Sequence, residues 1–139
     1  MGTGQNLVGL YKQGGHWGPA PTDKHVVLAR GDFESIVNGH WRKAQDEVVA
    51  FNRKPDRVYR FDEQNSNNFA RSLIERLGLG GQSGGWDGNH RDYGARGFNY
   101  NPGQWNVRDV FGDDAVTRES LRQRDIRSLE EQSLNRWAP

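Results

Sequence analysis

What most constrains this chain is the change of character after Leu79. The tract GGQSGGWDGNHRDYGARGFNYNPGQWN, residues 80–106, is dense in glycine and carries neither a helical nor a strand period. Glycine loses more backbone freedom on folding than any other residue, so such a tract does not build a core alone. It divides the chain into a patterned part (residues 1–80), an arm (81–112) and a charged, helix-permissive tail (113–139). With 139 residues, 33% of them hydrophobic, 27% charged and a mean hydropathy of -0.97, this is the composition of one polar domain with a small core.

Within residues 1–80 the pattern predicts the order β-β-α-β-β-α. NLVGLY (6–11) is a short strand candidate, QGGHWGPAPTD (13–23) is loop, and HVVLAR (25–30) is an apolar, β-branched strand. Asp32 then caps a helix whose face carries Phe33, Ile36, Val37, His40, Trp41 and Ala44, spaced as one helical stripe. EVVAF (47–51) and RVYRF (57–61) flank NRKPD, a turn signal, and so predict a β-hairpin. From Ser66 onward Phe69, Leu73 and Leu77 trace a second helix, with Gly78 as the residue just past its end. The expected fold class is therefore α+β, a small antiparallel sheet with packed helices, followed by the glycine and aromatic arm and a C-terminal helix.

Nineteen basic against eighteen acidic residues leave a net charge of +1, too weak a field to point to nucleic acid. There is no cysteine, so disulfides, thiolate catalysis and thiolate zinc sites are excluded for this chain. No apolar run approaches the ~20 residues of a membrane span. The opening MGTGQNLVGLYKQGG lacks the basic and apolar blocks of a signal peptide.

The stretch FDEQNSNNFARSLIERLGL, residues 61–79, carries the chemistry. Asn65 or Ser66 caps the second helix by accepting hydrogen bonds from its free N–H groups. The same position also suits a nucleophile, because a helix N-terminus offers positive partial charge and unpaired N–H donors to an oxyanion. His25, at the head of HVVLAR, is the candidate base for Ser66.

A histidine heading a core strand, followed by Asn-[Cys/Ser]-Asn-x-Phe at a helix start, resembles the circularly permuted papain-like superfamily. That group includes permuted NlpC-type hydrolases, PPPDE peptidases and the lecithin retinol acyltransferase family. The resemblance covers roughly residues 6–79. It implies a papain-like fold, hydrolysis or acyl transfer at an amide or ester, and a peptide, peptidoglycan or acyl substrate. Ser66 would stand at the nucleophile position, His25 at the base, and Asn65, Asn67 and Phe69 at the flanking motif positions. It further implies a bacterial or phage effector or toxin domain, delivered within a larger secreted protein. Serine where that group carries cysteine leaves three forms open: a degenerate member that only binds, a serine enzyme, or a cysteine replaced by serine. The group that orients the imidazole is open among Glu47, Asp62 and His40.

Two other function classes compete. In a non-catalytic binding module the cleft persists without chemistry, and the tail helix, with Leu121, Ile126, Leu129, Leu134 and Trp137, docks on its own domain or on a protein partner. In a metal-independent ribonuclease toxin His16, His25 or His40 would work with arginines. Asp87, His90 and Asp92 match no metal-site spacing, and no metal or cofactor is implied. Arg30-Gly31-Asp32 is a strand end, a turn and a helix cap rather than an adhesive tripeptide. Trp86, Tyr93, Phe98, Tyr100 and Trp105 either pin the arm to the domain as a lid or form a stacking platform.

Overall fold

The run EVVAF, expected as a strand, is helical. The computed structural model describes residues 5–9, 27–80 and 105–137, and in it residues 47–51 lie inside α1 (Arg42–Asn52). Three further helices follow: α2 (Ser66–Arg76), α3 (Val107–Phe111) and α4 (Ala115–Trp137). Val48, Val49, Ala50 and Phe51 are all buried, at 8, 1, 1 and 1% exposure. A strand with one solvated face alternates, whereas a helix covered on every side is apolar all round. The second half of α1, residues 48–51, is covered in that way, because α2, α3, α4 and residues 5–9 pack around the helix, while Arg42 and Lys43 at its start stay exposed. Its neighbours override the β propensity of the paired valines.

The other expected strands do not assemble either. Residues 57–59 run beside residues 5–7, with Leu7 N–H donating to the Arg57 carbonyl at 2.6 Å and Tyr59 N–H to that of Gln5 at 2.7 Å. Asn6 and Val58 form a single antiparallel bridge, and residues 27–30 are not a strand. There is no sheet among the described residues, so the expected α+β class with a small antiparallel sheet is overturned: this is a helical assembly. An extended pair of three residues gains too few ladder bonds and cross-strand contacts to grow without a third strand.

The segment preceding α1 also departs from expectation. Asp32 does act as a cap, its Oδ1 accepting the Ser35 N–H at 2.9 Å, but Glu34–Trp41 winds as a π-helix. Arg42 N–H reaches back to the Val37 carbonyl, five residues earlier, which widens the turn. The apolar stripe predicted over residues 33–44 is consequently buried only at Ala44, while Phe33 is 73% exposed.

Two local features end and clamp these helices. Gly78, at φ +75°, closes α2 with Gly78 N–H on the Glu75 carbonyl and Leu79 N–H on that of Ile74. This is the left-handed termination that glycine adopts without strain. Gly9 lies against α1, exchanging hydrogen bonds with the Asn52 side chain at 2.8 and 2.9 Å. A Cβ there would stand 2.6 Å from Val48 Cγ1, so the close approach requires glycine.

The core is a ring cluster. Phe51 lies 4.6 Å from Phe69 and 5.2 Å from Trp105 between centroids, joining α1, α2 and the end of the arm. Val48 and Leu129, with Phe69, Leu73 and Ile126, form the adjoining layer against α4. The tail helix thus packs on this chain's own α1. Arg122 Nε on Asp46 Oδ1 at 2.6 Å is buried within that contact, flanked by the exposed pair Arg42–Glu119 at 2.8 Å. No helix among the described residues is long and apolar enough to cross a membrane.

Acid should loosen this arrangement before alkali does. Asp114 caps α4 by accepting the Thr117 and Val116 N–H groups, and these bonds hold its carboxyl below the ordinary 3.8. The Ser35 N–H does the same for Asp32, and Gln123, with the charges of Arg122 and Arg42, holds Glu119 below 4.5. A carboxyl depressed in the folded state contributes stability that is present above its unfolded pKa and is lost as pH falls through its folded one. Thermal midpoints are therefore expected to be level from pH 7 to about 5 and to fall below about pH 4. A midpoint unchanged at pH 3 would show that these carboxylates are not engaged.

Candidate functional site

The turn before α2 decides what Ser66 is. Asn65 has extended backbone angles, φ -144° and ψ -173°, and its Oδ1 accepts the N–H groups of Asn67 at 2.9 Å and Asn68 at 3.2 Å. Its own N–H donates to Asn68 Oδ1 at 2.5 Å, completing a reciprocal capping box. Asn65 Nδ2 donates to the Phe61 carbonyl at 2.7 Å, which ties the cap to the turn. The cap is Asn65, then, and Ser66 is the first residue of the helix proper. It is exposed, and neither its hydroxyl nor its N–H is engaged among the described residues. An N–H at that position has no partner within the helix and faces outward at the positive end of the dipole.

The loop that leads into this turn is tightly tied. Gln64, 1% exposed, donates from Nε2 to the Val58 carbonyl at 2.8 Å, and its Oε1 accepts Lys54 Nζ at 3.2 Å. Lys54 also donates to the Asp56 carbonyl, and Arg60 N–H to that of Gln64 at 2.8 Å. Burial pushes the Lys54 ammonium below its ordinary pKa, partly offset by Asp56, with Arg60 and Arg57 adding to the depression. The loop thereby holds Asn65 at a fixed angle to α1. Phe69, one turn into α2, anchors the same helix by its ring contact with Phe51.

The candidates named from the sequence separate in space. Asn65, Ser66, Asn67 and Phe69 share the first turn of α2, with Asn67 half-buried. Glu47 lies elsewhere, buried in α1, where its Oε2 accepts Arg76 Nε and, at 3.0 Å, Trp105 Nε1. Arg76 also stacks 4.3 Å above the Trp105 ring and donates to the Trp105 carbonyl. Arg76 ends α2, about 15 Å from Ser66 at 1.5 Å per residue, so Glu47 braces the far end of that helix. His40 sits half-buried in the π-helical segment, and Asp62 is exposed in the turn before the cap. His25, His16, His90, Asp87, Asp92 and the aromatics at 86, 93, 98 and 100 lie outside the described residues. Among the described residues no group of three or more His, Asp or Glu side chains could hold a metal ion.

Sequence reasoning does not single out Asn68, yet it is the most buried member of the motif, at 0% exposure. A signal exists, since Asn68 occupies the third helical position, where a capping box places its returning side chain. An open cavity of about 480 Å³ lies between Arg76, Trp105, Asn106 and Asp109, at the opposite end of α2 from Ser66. Comparison with protein-family models, with curated proteins and with solved structures finds no match, and the case for function is carried by the residues themselves.

Proposed function

We propose that residues 65–69 are a nucleophile motif, and that the chain is an amide or ester hydrolase or acyltransferase domain of the papain-like kind its motif resembles, with serine at the nucleophile position. One observation supports this reading above the others. Asn65 takes over the capping, so the Ser66 hydroxyl stands exposed at the N-terminus of an 11-residue helix, uncommitted among the described residues. The chemistry follows from that placement. Ser66 Oγ bonds to the acyl carbon, its proton passes to a base, and the carbonyl pair moves onto oxygen at the positive helix end. Collapse expels the amine or alcohol, which takes up that proton, and water or an acceptor then releases the acyl group. The base suggested by the sequence is His25.

A second reading, a binding module, draws on a different observation. Residues 27–30, which continue the strand expected to begin at His25, are not extended into a ladder. A serine hydroxyl has a far higher pKa than a thiol and depends more on a well-placed base.

The discriminating experiment uses the absence of cysteine. In Ser66→Cys the introduced thiol is the only one, and its alkylation rate against pH reports its pKa. The expected result is a value well below the unperturbed ~8.5, restored toward it by adding His25→Ala. An ordinary pKa that is indifferent to His25 would sink the hydrolase reading and favour the binding module.

A further inference from the structure

We propose that the cavity between the end of α2 and α3 binds the amino-terminal residues of a peptide, with the α-ammonium on Asp109 and a peptide carbonyl on Arg76 and Asn106. The site stands apart from Ser66, which begins α2 at its other end. The cavity is open, holds about 480 Å³ and is lined by Arg76, Trp105, Asn106 and Asp109. That volume falls in the range of small-ligand sites. Its donors are fixed before any ligand arrives. Arg76 gives Nε to the Glu47 carboxylate and Nη2 to the Trp105 carbonyl, and its guanidinium lies 4.3 Å above the Trp105 ring. A guanidinium carries five N–H donors, so three are left without a partner among the described residues, on a side chain 26% exposed. Asn106 commits Oδ1 to the Arg108 N–H, and its Nδ2 has no partner among the described residues.

Charge decides which end of a peptide fits. Glu47, its side chain 8% exposed, already neutralises Arg76, so the guanidinium offers hydrogen bonds rather than net positive charge. Asp109 is exposed and engaged in no ion pair or hydrogen bond among the described residues. Its neighbour Arg108 is paired with Asp113 at 3.0 Å. The cavity wall therefore carries one uncompensated negative charge beside a set of neutralised donors, which suits a cation bearing an acceptor and disfavours a carboxylate. The first residues of a peptide are such a group, an α-ammonium followed at once by carbonyls. A nucleobase or sugar finds no ring to stack on, because Arg76 covers one face of Trp105 and the residue is only 5% exposed, packed against Phe51.

The probe is alanyl-alaninamide, which has the ammonium and the carbonyls and no carboxylate. In the ¹⁵N-labelled full chain at about pH 6.5, where an α-amino group is charged, the Trp105 indole and Asn106 side-chain amide resonances are expected to move on one saturating curve. N-acetylalanyl-alaninamide, which lacks the charge, should bind at least about threefold more weakly. Asp109→Asn should leave the thermal midpoint unchanged while weakening alanyl-alaninamide roughly three- to tenfold, between the worth of an exposed ion pair and that of a charge-assisted hydrogen bond. Asp109→Glu should restore most of the affinity. Resonances that stay still with the probe, or an affinity indifferent to acetylation or to Asp109→Asn, overturn the proposal. So does N-acetylalanine binding more tightly than alanyl-alaninamide, since the cavity would then read a carboxylate.

Discussion

Phe51→Ala is expected to cost about 3–5 kcal/mol of folding stability, the range for emptying a fully buried aromatic site. Phe51 is 1% exposed and is the residue on which three elements meet, with Phe69 of α2 at 4.6 Å and Trp105 at 5.2 Å. Truncation removes the buried ring and leaves a cavity lined by two large side chains that cannot collapse inward without leaving their own contacts. For a chain of this length the midpoint of thermal unfolding should drop by roughly 10–20 °C. Phe51→Leu, which refills most of the volume, should lose far less. A loss below about 1 kcal/mol for the alanine variant, by urea titration with unchanged slope, would mean that the ring cluster does not hold α1 to α2.

The second large effect is electrostatic. Arg122 and Asp46 have side chains only 6 and 10% exposed and meet at 2.6 Å between α4 and α1, with Glu119 also accepting from Arg122. Removing one partner strands the other charge away from water, so Arg122→Ala should cost about 3–5 kcal/mol. Replacing both by apolar residues of similar size, Asp46→Leu with Arg122→Met, should recover most of that loss, because the desolvation penalty disappears with the pair. Arg108–Asp113, 74 and 76% exposed, is the internal control, and Arg108→Ala should stay within about 0.5 kcal/mol. Equal losses at the two sites, measured by denaturant titration, would show that α4 does not dock through Asp46.

The residues whose roles are legible ahead of the structure share one property: their partners are close in sequence. Asp32 caps onto Ser35, Asn65 onto Asn67 and Asn68, and Gly78 closes α2 onto Glu75. Each bond spans two or three residues, so residue type and spacing are enough to foresee it. The start of α2 and its exposed serine belong to this class, which is why the candidate site can be read in the amino-acid string while most of the fold cannot.

EVVAF shows the opposite case. Four consecutive buried apolar residues satisfy a buried strand and a buried helix equally well, and periodicity does not separate the two. The choice is made by what covers the segment, and Phe69, Leu129, Trp105 and Gly9 all come from distant parts of the chain. Sequence alone leaves Glu47 a candidate to orient an imidazole, whereas in the folded chain Arg76 and Trp105, each distant in sequence, take its carboxylate. The complete burial of Asn68, whose Nδ2 has no partner among the described residues, is likewise invisible in the string, since burial is a property of the whole packed surroundings. Short-range hydrogen bonding is thus written into the order of residues, whereas burial, which sums contacts across the entire chain, emerges only once the helices have packed.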